Sequence, residues 1–184
     1  MDLVALQDKA VSRMAELVAK VQKEQLPRET PCSEWDVKSL LNHIIGGNHM
    51  FASAAKGSPT AAEGVDHTDG DIAAAFEESA RALREAWSDP TKLGETVQLP
   101  FGEMSGAQAL ALHTMDKIVH AWDLATATNQ DVEIPEELLQ GLKGIVDQVP
   151  LDDVRKTGVL GPAVPTPPGA SLQEEILGKL GRKA

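Results

Sequence analysis

One uninterrupted helical pattern constrains this chain more than any other stretch. It begins after Ser105, a candidate N-cap, and runs to about Ala127, with Asn129-Gln130-Asp131 breaking it. Inside it lies His113-Thr114-Met115-Asp116-Lys117-Ile118-Val119-His120-Ala121-Trp122-Asp123-Leu124. At about 100° per residue, His113, Asp116 and His120 fall within a sector of roughly 60°. Asp116 and His120 stand one turn apart, so both reach a single point. A carboxylate and an imidazole so placed are half of a metal site. Asp123 falls near the edge of that face and is expected to cap or to bond a neighbouring helix, with Trp122 packing beside it.

The other half has to come from elsewhere in the chain. Residues 2–25 read as a first helix, with Val4, Val11, Met14, Val18 and Val21 in a seven-residue rhythm and Pro27 beyond its end. Thr30-Pro31-Cys32-Ser33-Glu34-Trp35-Asp36 is a helix entry, with Ser33 as candidate N-cap. The second helix then carries Val37, Leu40, Leu41, Ile44 and Ile45, and His43 lies inside this apolar pattern. Alone, such a histidine reads as a core residue bonded to a carbonyl. With Asp116 and His120 available on another helix, it reads as a ligand. Gly46 and Gly47 follow on the same side, one turn along. They either leave room for a bound molecule or end the helix.

A long loop spans 55–70, where His67 reads as solvated; His49 points away from His43. Residues 71–88 form a third helix, stopped at Pro90. Residues 92–104 read as a short strand pair or an extended connection. Pro135 opens a fifth helix with acids in its first turn. From Pro150 the composition changes. Gly161 to Gly169 is too proline-rich for a helix or central strand and reads as an extended segment laid over the bundle, followed by a short helix from Leu172 to about Leu180. The expected organisation is therefore a helical, metal-binding bundle over residues 1–150 and a C-terminal segment over 151–184.

Charge and cysteine content narrow the function. Seventeen Lys and Arg against 28 Asp and Glu give a formal net charge of −11, with no basic stripe to meet phosphates, so nucleic acid is not an expected partner. No apolar run approaches the ~20 residues of a membrane span, and neither a membrane anchor nor a signal segment is expected. A cytoplasmic location follows as the default. The one cysteine, Cys32, allows no internal disulfide and no cysteine-based zinc site. It reads as a small residue in a turn, with a redox or nucleophilic role as the lesser alternative.

Facing helices of a bundle commonly build metal sites in their core. His43, Asp116 and His120 would give two imidazoles and one carboxylate with positions left open, the pattern of a catalytic site. The set suits zinc, nickel or ferrous iron, and ligand identity alone does not choose among them; zinc is the first expectation. His113 is a fourth ligand, a partner of one, or a catalytic proton carrier.

The motif Thr30-Pro31-Cys32-x-x-Trp35-x-Val37-x-x-Leu40-x-x-His43, followed by Asp116-x-x-x-His120-x-Trp122-Asp123-Leu124-Ala125, resembles the actinobacterial branch of the DinB-like superfamily. That branch includes the mycothiol-dependent maleylpyruvate isomerases. Gly161-Pro162-x-Val164-x-x-Pro167 and Leu180-Gly181-Arg182 are similar to it as well. The resemblance implies an all-α, up-down-down-up four-helix bundle with an additional helix and an extended Pro-rich C-terminal segment. It implies a divalent metal on His43, Asp116 and His120, although the isomerases carry Glu where Asp116 stands. It also implies mycothiol as cosubstrate and an electrophilic second substrate; the room left by Gly46 and Gly47, read from their helix position, would suit the cosubstrate.

The expected function is a mycothiol-dependent, low-molecular-weight-thiol S-transferase or isomerase. The alternatives are a non-catalytic metal or small-ligand binder linked to stress, and a structural bundle that forms a homodimer.

Overall fold

The computed structural model describes residues 2–33, 35–60, 64–156 and 160–184. Its elements are α1 Leu3–Val18, α2 Val37–Ala55, α3 Ile72–Ala86, β1 Thr96–Leu99, β2 Gly102–Ser105, α4 Gly106–Thr128, α5 Glu136–Val146, α6 Leu151–Lys156 and α7 Leu172–Lys179. Helices α1 to α4 form the four-helix bundle: α1 packs most closely on α4, α2 on α3, and α2 also meets α4. The all-α, DinB-like architecture expected from the sequence is the one observed.

Helix α4 lies between two apolar clusters. On one side are Val11, Met14, Leu17, Leu40, Leu41, Ile44, Phe76, Leu83 and Trp87, reached by Leu110 and Leu124. On the other are Leu6, Leu138, Leu142, Ile145, Ile176 and Leu177, reached by Ile118, Val119 and Trp122. On α2, Val37, Leu40, Leu41, Ile44 and Ile45 have no exposed surface. Each such aliphatic side chain contributes roughly 1.5–3 kcal/mol of burial, so the stripe fixes the rotation of α2 and with it the direction of His43.

The helix starts are chemically defined. Ser105 caps α4 through a reciprocal box with Gln108, whose backbone N–H lies 3.3 Å from Ser105 Oγ. The left-handed Asn129 closes the other end. The hairpin β1–β2 pairs Val97 with Met104 and leads straight into α4. Gly106 is obligatory there, because a Cβ would sit 2.0 Å from the Lys92 carbonyl oxygen.

Several boundaries differ from the sequence reading. Helix α1 ends at Val18 rather than near residue 25, and a separate 3-10 turn, Lys23–Gln25, is held by a Gln22–Gln25 box. Asp36, not Ser33, caps α2: its carboxylate accepts from Ser39 N at 2.7 Å. Thr30 holds the preceding turn instead, accepting from Cys32 N and donating to the Trp35 carbonyl. Helix α2 runs unbroken through Gly46 and Gly47, so the pair does not end it. Pro135 is the N-cap residue of α5 rather than its first helical residue, so the helix starts one position later than expected. Helix α6 has no counterpart in the sequence reading. Residues 157–159 and Glu34, within the C-terminal and helix-entry stretches, lie outside the described residues.

Candidate metal centre

Three of the four ligand-type residues converge. Asp116 Oδ1 lies 3.1 Å from His43 Nε2 and 3.2 Å from His120 Nε2. The candidate donor atoms of His43, Asp116 and His120 all fall within 4.8 Å of one another. Helix α2 supplies one imidazole and α4 the other two groups, one turn apart. The rings of His43 and His120 meet edge-on, with centroids 4.9 Å apart, and Trp35 lies over both at 4.6 and 5.6 Å. His43 stands at the border of the apolar stripe rather than within it: its side chain is 33% exposed and that of Asp116 28%.

Burial opposes the charge on both Asp116 and His120. The two imidazoles facing Asp116 override it and hold the carboxyl well below the usual carboxylate range. His120 is held well above its ordinary value by the Asp116 carboxylate and by hydrogen bonds to Asp116, Asp123 and Cys32. The donor set fits a divalent cation: an ionised carboxylate and two imidazole Nε2 atoms on one point, with an exposed side left for further ligands.

His113 faces elsewhere. It has no exposed surface, and its Nε2 lies 3.1 Å from Asn48 Oδ1. The hydrogen bonds fix its tautomer. Ser79 donates its hydroxyl to the Phe76 carbonyl, so Asn48 Nδ2 must donate to Ser79 Oγ, leaving Oδ1 to accept from His113 Nε2–H. Burial first, and the charge of Lys117 second, push His113 well below its ordinary value, so the ring is neutral. It packs edge-on against Phe51, with centroids 4.8 Å apart. Lys117, one turn further along α4, is also fully buried and donates to the Ile44 carbonyl at 2.9 Å.

Asp123, expected from the sequence to cap or to bond a neighbouring helix, instead stands behind His120 on the same helix, and Arg182 was not anticipated there. Asp123, with no exposed surface, accepts from His120 Nδ1 at 2.9 Å and from Arg182 Nη2 at 2.8 Å. Cys32 Sγ lies 3.5 Å from Asp123 Oδ2, 4.0 Å from His120 Nδ1 and 3.1 Å from Arg182 Nη2. One signal was present: Asp123 is three residues beyond His120, a spacing at which helix side chains meet. Nothing local announces Arg182, 59 residues from Asp123. His49 and His67 stack at 5.8 Å away from the triad partners, with burial pushing His67 down.

Beyond His43, an ideal Cβ on Gly47 would meet nothing within 4 Å, so space adjoins α2 there. An open cleft of about 580 Å³ is lined by Glu29, Thr30, Pro31, Ser33, Trp35, Asp36 and Ser39. It shares Trp35 with the triad. Among the described residues, no helix is long and apolar enough to cross a membrane.

Residues 8–125 match the family described as the mycothiol maleylpyruvate isomerase N-terminal domain. Uncharacterized proteins from two strains of Mycobacterium tuberculosis are each 37% identical over 138 residues, covering 75% of this chain and 74% of theirs. The crystal structure of the mycothiol-dependent maleylpyruvate isomerase superposes with a TM-score of 0.57 at 16% identity, as does that of a histidine-to-alanine mutant of it. Each of these matches covers 76% of this chain and 66% of the isomerase chain, and at that identity the likeness is one of fold. By the extent of the family match and the identity to the mycobacterial relatives, this chain belongs to the mycothiol maleylpyruvate isomerase N-terminal domain family.

Proposed function

We propose that this protein is a divalent-metal enzyme that uses mycothiol as cosubstrate, an S-transferase or isomerase acting on a small electrophile. The observation that carries the reading is the meeting of His43 Nε2, Asp116 Oδ1 and His120 Nε2 at one partly exposed point, in a chain of this family. His43, Asp116 and His120 would hold the metal, with zinc the first choice. A bound divalent ion supplies Lewis-acid charge that favours the thiolate form of a thiol at neutral pH.

The chain's own residues do the rest. Trp35 walls the two imidazoles on one side and shields them from bulk water. The cleft beyond it is lined largely by polar residues, Glu29, Thr30, Ser33, Asp36 and Ser39, a lining suited to a polar, hydroxyl-rich thiol. The space beside Gly47 takes part of the bound molecule. His113 stays outside the reacting set and ties α4 to α2 and α3 through Asn48 and Ser79.

Two measurements test this. Untagged protein and the His43→Ala variant are assayed for bound metal, with zinc added back. Wild type should bind one equivalent and the variant far less; equal content overturns the site. Metal-loaded protein is then incubated with mycothiol and a chlorodinitrobenzene. Turnover above the metal-free control supports the enzyme. Stoichiometric metal with no turnover across several thiols would replace it with a non-catalytic metal binder.

A further inference from the structure

We infer that Asp123 and Arg182 are positioning residues for the metal-facing imidazole of His120, so that the C-terminal segment completes the site. This rests on the metal site proposed above.

An imidazole offers two ring nitrogens, and the hydrogen bond on one decides what the other presents. His120 aims Nε2 at Asp116 and the converging donors, and its Nδ1 lies 2.9 Å from Asp123 Oδ2. A carboxylate there accepts Nδ1–H and leaves the Nε2 lone pair facing the site. It also stops the ring from turning about its χ2 axis, since the flipped ring would leave Asp123 facing a carbon.

Asp123 cannot hold that role alone. Its side chain has no exposed surface, and a buried, unpaired carboxylate is strongly disfavoured. Arg182 supplies the counter-charge as a fork, with Nε 3.3 Å from Oδ1 and Nη2 2.8 Å from Oδ2. The Arg182 side chain is 13% exposed and its guanidinium is always protonated, so it keeps Asp123 an acceptor.

The backbone delivers Arg182 to that place. Beyond α7, Gly181 adopts a left-handed φ of 82°, and Arg182 N bonds back to the Leu177 carbonyl at 2.8 Å. Gly178 lets the segment before α7 press directly on the helix: Val164 N bonds the Gly178 carbonyl, and a Cβ at 178 would lie 2.8 Å from Val164 O. The path from the Pro-rich segment to His120 is thus a continuous set of backbone contacts and charged hydrogen bonds.

Cys32, His120 and Asp123 also place donor atoms within 4.8 Å and raise the idea of a second metal site. The guanidinium already sits against two of those three donors, at 3.1 Å from Cys32 Sγ and 2.8 Å from Asp123 Oδ2. Arg182 is the cation of that cluster.

The test measures zinc affinity of the full chain by competition with a chromophoric chelator, alongside melting of the metal-free protein. Arg182→Met removes the charge at similar length, Arg182→Lys keeps charge without the fork, and Asp123→Asn keeps an acceptor without charge. Arg182→Met and Asp123→Asn should weaken zinc binding by about 10–100-fold, the usual effect of losing an outer partner of a ligand histidine. Arg182→Lys should fall between them and wild type. In the zinc-loaded protein, the His120 Nδ1–H resonance should be protected from exchange in wild type and lose that protection in Arg182→Met.

If wild type binds zinc, His43→Ala does not, and Arg182→Met binds within twofold of wild type, this inference fails and the site stands. A lowered melting temperature with unchanged affinity overturns it equally. If wild type takes up no zinc at all, both fall. Should Asp123→Asn not fold, the two Arg182 variants decide.

Discussion

Lys117 offers the sharpest energetic test of the bundle. Its side chain is fully buried in the α2–α4 contact, and it donates to the Ile44 carbonyl. Burial lowers its pKa from 10.5 to about 8, with Asp116 pulling the other way. The sign follows from linkage. Between about 8 and 10.5 the unfolded chain holds a proton that the folded chain has shed, so stability rises with pH there. At pH 7 the native ammonium costs about 3 kcal/mol relative to a neutral amine, and at pH 9.5 the remaining cost is about 1.4 kcal/mol. Lys117→Met has a similar volume and no titration. It also loses a charge-assisted hydrogen bond of roughly 1.5–3 kcal/mol, which offsets most of the gain at pH 7. The decisive quantity is therefore the change in the gap between the two proteins. Urea unfolding at pH 7 and 9.5, with chelator present, should show wild type gaining about 2 kcal/mol on the variant as pH rises. A gap that stays constant within about 0.5 kcal/mol would mean that Lys117 is not a buried cation, and the reasoning would fail.

Two further outcomes follow from the same structure. Gly106→Ala places a Cβ 2.0 Å from Lys92 O and 3.1 Å from Leu93 Cα, backbone atoms that cannot step aside. It should destabilise the protein by about 3 kcal/mol or more in denaturant titration; a loss under 1 kcal/mol would show that the hairpin and the start of α4 are not locked together. In metal-free protein, the raised His120 contributes stability below about pH 6.5 that is lost as pH rises through its folded pKa, and the depressed Asp116 contributes stability above about pH 3.9 that is lost as pH falls through its own. Melting temperature against pH should thus show a plateau between those limits that Asp116→Asn flattens, and superimposable profiles would refute the pairing.

What could be read from the sequence was local. The Ser105 cap, the acids opening α5 and the alternation before α4 each depend on residues a few positions apart, and the corresponding elements form. Errors arose where two local devices competed. Ser33 and Asp36 are both capping residues, and the choice went to Asp36 because Thr30 had already claimed the turn around Cys32. The α1 helix pattern continued in the sequence through Val21, but the chain leaves the helix at Ala19. Long-range polar contacts left no local trace. Cys32 meets Arg182 across 150 residues, and Asn48 meets His113 across 65. Nothing in the residues beside either partner points to the other.

The placement of the polar centre follows from how α4 is buried. A helix enclosed on nearly all sides is normally apolar all round, yet this one carries His113, Thr114, Lys117, His120 and Asp123 with little or no exposure. Such groups persist only if bonded. Thr114 bonds the Leu110 carbonyl, Lys117 the Ile44 carbonyl, His113 Asn48, and His120 joins Asp116 to Asp123. Each of these contacts lies within the protein. Among the described residues the network opens most widely at Asp116 and His43, with 28% and 33% of those side chains exposed beside Trp35. That is the most exposed side of the triad for an exogenous ligand to approach. Substitutions at Trp35 should accordingly alter what binds, while those at His113 should alter how firmly α4 is held.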